Sequence, residues 1–381
     1  MYNMPNSSSL SGRAGEGPLI RNIMSEKLKV GITHGDINGV GYEVILKAFE
    51  NPTMLDLCTP IIYGSPKVAT YHRKAIDSPT NFTIISNAAE AHRAKLNILT
   101  CVDDELKVEL GTPSQEAGKA ALDALERALA DYREGLIDVL VTAPINKNTI
   151  QSDTFHFPGH TEYIQERVGE GEKALMILMK DELRVALVTG HLPINAIAST
   201  LTKELIQEKL TIFNQALRRD FLIDKPRIAV LALNPHAGDG GLIGTEEQDI
   251  IIPALAEMKE KGMFCYGPYP ADGFFGSEQY TKFDGILAMY HDQGLAPFKA
   301  LAMEEGVNYT AGLPIVRTSP AHGTAYDIAG KGLASEASFC HAIYTALDVH
   351  RNRIFYDEAR ENPLKKQYHE KRDDSHKLKL D

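Results

Sequence analysis

The chain contains no CxxC pair, no basic cluster in its body, no long apolar run, no secretory leader and no internal repeat. Each absence narrows the field. Its four cysteines, Cys58, Cys101, Cys265 and Cys340, are far apart, so they build no disulfide framework and point to a reducing cytoplasm. The clean apolar run Ala174–Met179 falls far short of the roughly 20 residues that cross a bilayer, which excludes an integral membrane protein. The net charge is −11 and lysine and arginine do not cluster, which excludes a broad nucleic-acid surface. An anionic substrate needs only a local pocket with a few basic residues. Residues 1–26 are rich in Ser, Gly, Asn and Pro and lack the apolar region of a signal peptide. They are expected to be a disordered leader or tag, with the natural start at Met24.

What is present is an ordinary globular balance over 381 residues, 43% hydrophobic and 24% charged, enough for two or three domains and a large core. Short apolar runs alternate with helical patterns. Strands are predicted at Lys29–Thr33, Ile61–Gly64, Phe82–Ile85, Asp138–Thr142, Ala174–Met179, Arg184–Thr189, Ile228–Leu233 and Gly285–Met289. Helices are predicted at Glu43–Phe49, Ser114–Gly135, Thr202–Arg218 and Glu246–Lys261. This alternation argues an α/β fold with mainly parallel strands. Arg351–Asp381 is dense in both charges and reads as a solvated helical extension.

Several strands run into a chemically capable residue: Lys147, His191, His236 and His291. Ligands of open α/β sheets bind beyond the carboxyl ends of the strands, so these side chains are candidates for one site. Three neutral imidazoles are a common transition-metal set that leaves a position open for substrate. The segments 45 and 55 residues apart match no compact metal motif, and unrelated loop histidines would look the same. Dense Gly and polar residues in Asn234-Pro-His-Ala-Gly-Asp-Gly-Gly and Tyr290-His-Asp-Gln-Gly favour a site. Thr33-His-Gly-Asp-Ile-Asn-Gly-Val-Gly, with Gly35, Gly39 and Gly41, reads as a phosphate or cofactor cradle or as a tight strand–helix turn. It is not GxGxxG. His160 and Thr161 open a helix, where they would meet a carboxylate or hydroxyl, or where Thr161 would simply cap. Lys299, Asn308 and Arg317 suit a phosphate. In the stretch from Thr318 to Gly332, His322, Gly323 and Asp327 suit an adenine or ribose edge.

These stretches together resemble the 4-hydroxythreonine-4-phosphate dehydrogenase family of pyridoxal phosphate biosynthesis. The resemblance runs from about Lys29 to Gly332 and is carried by Thr142-Ala-Pro-Ile-Asn-Lys, Pro158-Gly-His-Thr-Glu, Gly190-His-Leu-Pro, Leu233-Asn-Pro-His-Ala-Gly-Asp-Gly-Gly, Gly244-Thr-Glu-Glu, Pro270-Ala-Asp, Met289-Tyr-His-Asp-Gln-Gly, Gly312-Leu-Pro-Ile-Val-Arg-Thr-Ser and His322-Gly-Thr-Ala. The last also looks like the cofactor loop of isocitrate and isopropylmalate dehydrogenases. The resemblance implies two α/β/α domains around a central cleft: 27–150 with 305–350, and 151–304, followed by a charged extension over 351–381. It implies His191, His236 and His291 as ligands of a divalent metal (zinc, or else Mg, Mn or Co), with His291 given by the opposite subunit of a homodimer. It implies His160, Thr161, Lys299, Asn308 and Arg317 as substrate-binding residues and places Asp272 and Asp292 near the reacting centre. Asn146 stands where the family motif has His before the lysine.

The implied activity is oxidation of 4-phosphooxy-L-threonine by NAD⁺, or NADP⁺, with decarboxylation to 3-amino-2-oxopropyl phosphate. Asp272, Asp292 and Lys147 are the candidate bases. Within the family the alternative is a dehydrogenase of erythronate or threonate 4-phosphate. Outside it stand a metal-dependent phosphatase or aldolase without NAD and a non-catalytic phosphosugar-binding protein.

Overall fold

The computed structural model describes residues 27–152, 155–157 and 159–363. The expected leader, Pro158 and residues 364–381 of the charged tail lie outside the described residues. In chain order the strands are β1 (Leu28–Thr33), β2 (Cys58–Gly64), β3 (Phe82–Ile85), β4 (Leu96–Thr100), β5 (Val139–Thr142), β6 (Leu175–Lys180), β7 (Leu183–Leu187), β8 (Ile228–Leu231), β9 (Cys265–Tyr269), β10 (Gly285–Ala288), β11 (Val307–Ala311) and β12 (Val316–Pro320). They pair in the order β3-β4-β2-β1-β5-β12-β11-β6-β7-β10-β8-β9. Pairing is parallel on both flanks and antiparallel only across β12, β11, β6 and β7. The flanking strands β1, β2, β5, β8 and β10 are buried nearly throughout, which is why they read as unbroken apolar runs rather than as alternations.

The helices that position the site are α1 (Gly41–Ala48), α2 (Gln115–Arg133), α3 (His160–Val168), α4 (Lys203–Arg219), α5 (His291–Ala302) and α6 (Ala337–Glu361). Ser114 caps α2 by accepting the Ala117 N–H, and Thr202 caps α4 by accepting the Leu205 N–H.

The charged stretch from Arg351 differs from expectation. Residues 351–361 are the last turns of α6, and Arg353 is buried rather than solvated. Its Nε donates to Asp220 Oδ1 at 2.7 Å, its remaining nitrogens to Tyr309 and to the carbonyls of Leu313 and Pro314. A guanidinium with that many acceptors is tolerated in a core, and it pins α6 across β11 to the end of α4. Removing it strands the buried Asp220 carboxylate. Arg353→Leu is therefore expected to cost about 3–5 kcal/mol of stability in chemical denaturation. A loss under about 1 kcal/mol would show the pair to be idle.

The first strand–helix loop also departs from one of its two readings. His34, Asp36 and Asn38 are buried, as are Gly35, Gly39 and Gly41. A Cβ at Gly35 (φ +70°) would meet Pro144 O at 2.2 Å, one at Gly39 would meet Thr324 O at 2.7 Å and one at Gly41 would meet His34 O at 2.0 Å. The Asp36 and Val40 N–H groups donate to Pro144 O and Thr324 O. The glycines admit neighbouring protein backbone, not a phosphate, and the cradle is corrected to a buried turn.

Behind this loop, His34 stacks on Tyr42 (5.0 Å between centroids), and His72 Nε2 lies 2.7 Å from Ile37 O. Burial pushes both imidazoles down to about 4. Between the ordinary value near 6.5 and about 4, the unfolded chain takes up protons that the folded chain refuses. Folding stability is expected to fall as pH drops through that window, by about 1.4 kcal/mol per pH unit for each histidine. Denaturation midpoints at pH 7 and pH 5 check this; equal stability would contradict it.

Candidate active site

A cavity of about 230 Å³ lies over the centre of the sheet, where parallel pairing gives way to antiparallel. Its floor is one face of three strands. Register aligns Arg317 with Thr310 and Thr310 with Met176, and in the next row Ser319 with Asn308 and Asn308 with Leu178. Side chains alternate along a strand, so the neighbours Thr318 and Tyr309 turn to the other face. There Thr318 Oγ1 donates to Ala342 O of α6, and Tyr309 meets Asp220 and Arg353.

Three walls close over that floor. Helix α5 presents His291, Leu295 and Lys299, one turn apart on one face. The start of α3 contributes His160, Thr161 and Glu162; Gly159, not Thr161, is its N-cap. The turn after β5 brings Lys147, and the loop after β12 brings His322 and Gly323. His191, past β7, enters beside His291 with ring centroids 5.7 Å apart.

Arg317 is the focus of the charge. It is 3% exposed, and its partners are all neutral: Thr142 Oγ1 at 2.6 Å, Thr310 Oγ1 at 3.2 Å and His160 Nδ1 at 3.2 Å. Among the described residues it has no ion pair, and burial lowers its pKa to about 10. A buried guanidinium facing only neutral acceptors is costly unless an anion joins it. Lys147 and Lys299 add two cations to the lining against one carboxylate, Glu162. His160 accepts from Arg317, so its Nδ1 is unprotonated. Burial, then Arg317 and Lys147, hold its pKa well below the usual range. Asn308 Oδ1 is buried without a partner.

Lys147 Nζ lies 2.8 Å from His191 Nε2, and His191 Nδ1 is 3.9 Å from Glu162 Oε1. Burial lowers the pKa of both Lys147 and His191; Glu162 opposes it. Also in the lining, His322 Nδ1 lies 2.9 Å from Gly323 O while Nε2 is buried and unpartnered. A Cβ at Gly323 would meet nothing within 4 Å. An orphaned ring nitrogen beside an open glycine fits the edge of a nucleotide.

Ten residues expected from sequence thus meet at one cavity. The others do not line it. His236 is exposed on a loop whose residues from His236 to Gly241 all have positive φ, anchored where Glu247 accepts the Leu233 and Asn234 N–H groups. Asp272 and Asp327 are exposed elsewhere. Asp292 is also outside, reaching the site only through His291 Nδ1 at 2.7 Å. The expectation that His291 crosses from another subunit is at odds with its place beside His191 in the same chain. Of the three histidines expected as metal ligands, one chain brings His191 and His291 to the cavity, and among the described residues no three metal-binding groups converge. Sequence reasoning missed Glu162, Thr142, Thr310 and Ser319. Glu162 was in the quoted Gly-His-Thr-Glu motif, and its place in the first turn of a helix was the available signal.

No helix among the described residues is long and apolar enough to cross a membrane. The model of the pyridoxal phosphate biosynthetic protein PdxA family matches residues 56–346. A 4-hydroxythreonine-4-phosphate dehydrogenase of Bacteroides thetaiotaomicron is 73% identical over 355 residues, covering 93% of this chain and 98% of that protein. A D-threonate 4-phosphate dehydrogenase of Cupriavidus necator is 39% identical, covering 87% and 100%. The crystal structure of the 4-hydroxythreonine-4-phosphate dehydrogenase of Klebsiella pneumoniae superposes with a TM-score of 0.73 at 33% identity, covering 85% of this chain and 98% of that one. With three-quarters of its length inside the family model and a near-full-length relative at that identity, the chain belongs to the pyridoxal phosphate biosynthetic protein PdxA family.

Proposed function

We propose that the protein oxidises 4-phosphooxy-L-threonine with NAD⁺ and decarboxylates the product to 3-amino-2-oxopropyl phosphate, for pyridoxal phosphate synthesis. The observation that carries this is Arg317, a buried cation with only neutral partners in a cavity lined by two further cations. A phosphate dianion supplies the missing countercharge. Arg317 and Lys299 hold it, and the binding energy orients the reacting carbons. Asn308 Oδ1 and Glu162 accept from the ammonium at C2, which favours the amino acid over a sugar acid.

His322 and Gly323 would hold a nicotinamide dinucleotide, which would supply the hydride acceptor. Of the three candidate bases, Lys147 alone lines the cavity, so it takes the C3 hydroxyl proton as the C3 hydride departs. In the resulting β-keto acid the C1–C2 bond breaks, CO₂ leaves, and the electron pair passes to C2 and the C3 oxygen. The ammonium of Lys147 stabilises that charge and returns its proton to C2. Equal release of NADH and CO₂ from this substrate is expected; NADH without CO₂ would remove the second step.

The proposed cation site is completed between two copies, His191 and His291 from one chain and His236 from the other. A divalent ion there would acidify the hydroxyl and hold charge on the ketone oxygen. Ile194 and Leu242, each 81% exposed, lie close in sequence to His191 and His236 and suit burial in such a dimer. The two proposed domains, 27–150 with 305–350 and 151–304, divide the sheet near the cavity.

A further inference from the structure

The buried first loop and Asn146, a departure from the family motif, meet at a single phenol. Tyr326 OH donates to Asp36 Oδ2 at 2.7 Å and accepts from Asn146 Nδ2 at 3.0 Å. Every polar atom in this junction is spent. Asp36 Oδ1 accepts the Asn38 N–H at 2.9 Å. Asn146 Oδ1 accepts the N–H groups of Asn148 and Thr149 at 2.9 and 3.3 Å. Asp36 is 1% exposed, so its carboxylate has no water to replace a lost partner.

Three segments are tied by that phenol. The loop after β1 supplies Asp36. The turn after β5 supplies Asn146, whose next residue is Lys147. The loop after β12 supplies Tyr326, which follows His322 and Gly323 by a few residues. Two of these segments line the cavity. The backbone repeats the tie: Asp36 N donates to Pro144 O at 2.9 Å and Val40 N to Thr324 O at 3.0 Å. Ala325, beside the tyrosine, holds a left-handed φ of +44°, a conformation a non-glycine residue keeps only when its surroundings enforce it.

We propose that Tyr326 is a positioning residue, bonded through Asp36 and Asn146, that fixes the His322–Gly323 loop against the Lys147 turn and so sets the shape of the nicotinamide-dinucleotide site. The inference rests on the nicotinamide reading above. Without the hydroxyl the rim loop loses its side-chain bonds to both other segments and keeps the backbone bond from Val40 N to Thr324 O, while the phosphate site, built on the rigid floor at Arg317, keeps its own hydrogen bonds.

The test uses the full-length protein. NADH affinity is measured by fluorescence titration without substrate, alongside steady-state constants. For Tyr326→Phe, the Kd for NADH and the KM for NAD⁺ are expected to rise about tenfold or more, the worth of one charge-assisted hydrogen bond. KM for the phosphorylated substrate should stay within about twofold. Asn146→Ala should weaken NADH binding in the same direction, Asn146→His, which keeps a ring N–H donor, should restore part of it, and the double variant should be no worse than Tyr326→Phe. Unchanged NADH affinity in folded Tyr326→Phe, or strictly additive effects, would overturn the proposal. If Tyr326→Phe does not fold, the Asn146 variants, which keep the Asp36–Tyr326 bond, decide by the same criterion. Wild-type protein that fails to bind NADH at all would overturn the nicotinamide reading instead.

Discussion

Replacing Arg317 with methionine is expected to raise KM for the phosphorylated substrate about 100-fold, or to abolish measurable turnover, without destabilising the free protein. The first effect follows from two charge-assisted bonds to phosphate, together worth about 3 kcal/mol. The second follows from burial without a countercharge. A structural arginine such as Arg353, bonded to Asp220, stabilises the fold, and its loss is felt in denaturation. Arg317 bonds only to Thr142, Thr310 and His160, so an apolar side chain of similar length removes a desolvation penalty as well as those bonds. Kinetics and a melting curve on the same sample separate the two roles. Unchanged KM, or a melting temperature that drops as far as for Arg353→Leu, would remove Arg317 from the phosphate site.

His236→Ala is expected to fold normally and to lose turnover and bound divalent metal, and so is His191→Ala. The larger effect lies in mixing them. If His236 serves the cavity of a second copy, a mixed dimer holds one site with both defects and one intact site. Co-refolding equal amounts should then restore roughly a quarter of wild-type activity, since about half the dimers are mixed and each carries one good site. If all three histidines acted within one chain, mixing would restore nothing. Full activity in either single variant would sink the three-histidine assignment itself.

The sequence is most legible where the fold is most regular. The apolar runs of β1, β5, β8 and β10 were readable because parallel strands are buried on both faces, and the rule that ligands lie past the carboxyl ends of strands led to Lys147, His191 and His291. That rule fixes where a strand ends, not where the next loop goes. His236 follows β8 as expected, yet a run of left-handed residues carries it away from the cavity. Strands β11 and β12 were not legible because Asn308, Arg317 and Ser319 interrupt the apolar pattern; those are the residues that face the cavity. β4 hides behind Asn97, whose side chain is satisfied by the carbonyls of Pro60, His92 and Lys95, and β9 behind Gly267-Pro268. The first glycine loop misleads because close approach by a phosphate and close approach by protein backbone demand the same residue. Arg353 misleads because nothing local in a charged helix tells that one arginine turns inward to a partner more than a hundred residues away.

A nicotinamide-dependent oxidation of a phosphorylated amino acid is tested most directly by one assay. NADH formation is followed with a divalent metal on 4-phosphooxy-L-threonine and on erythronate 4-phosphate side by side. Turnover of the amino substrate, with the sugar acid slower by at least tenfold, is the expected result. Turnover of the sugar acid alone would contradict the substrate while leaving the site in place, and no NADH from either would contradict the dehydrogenase.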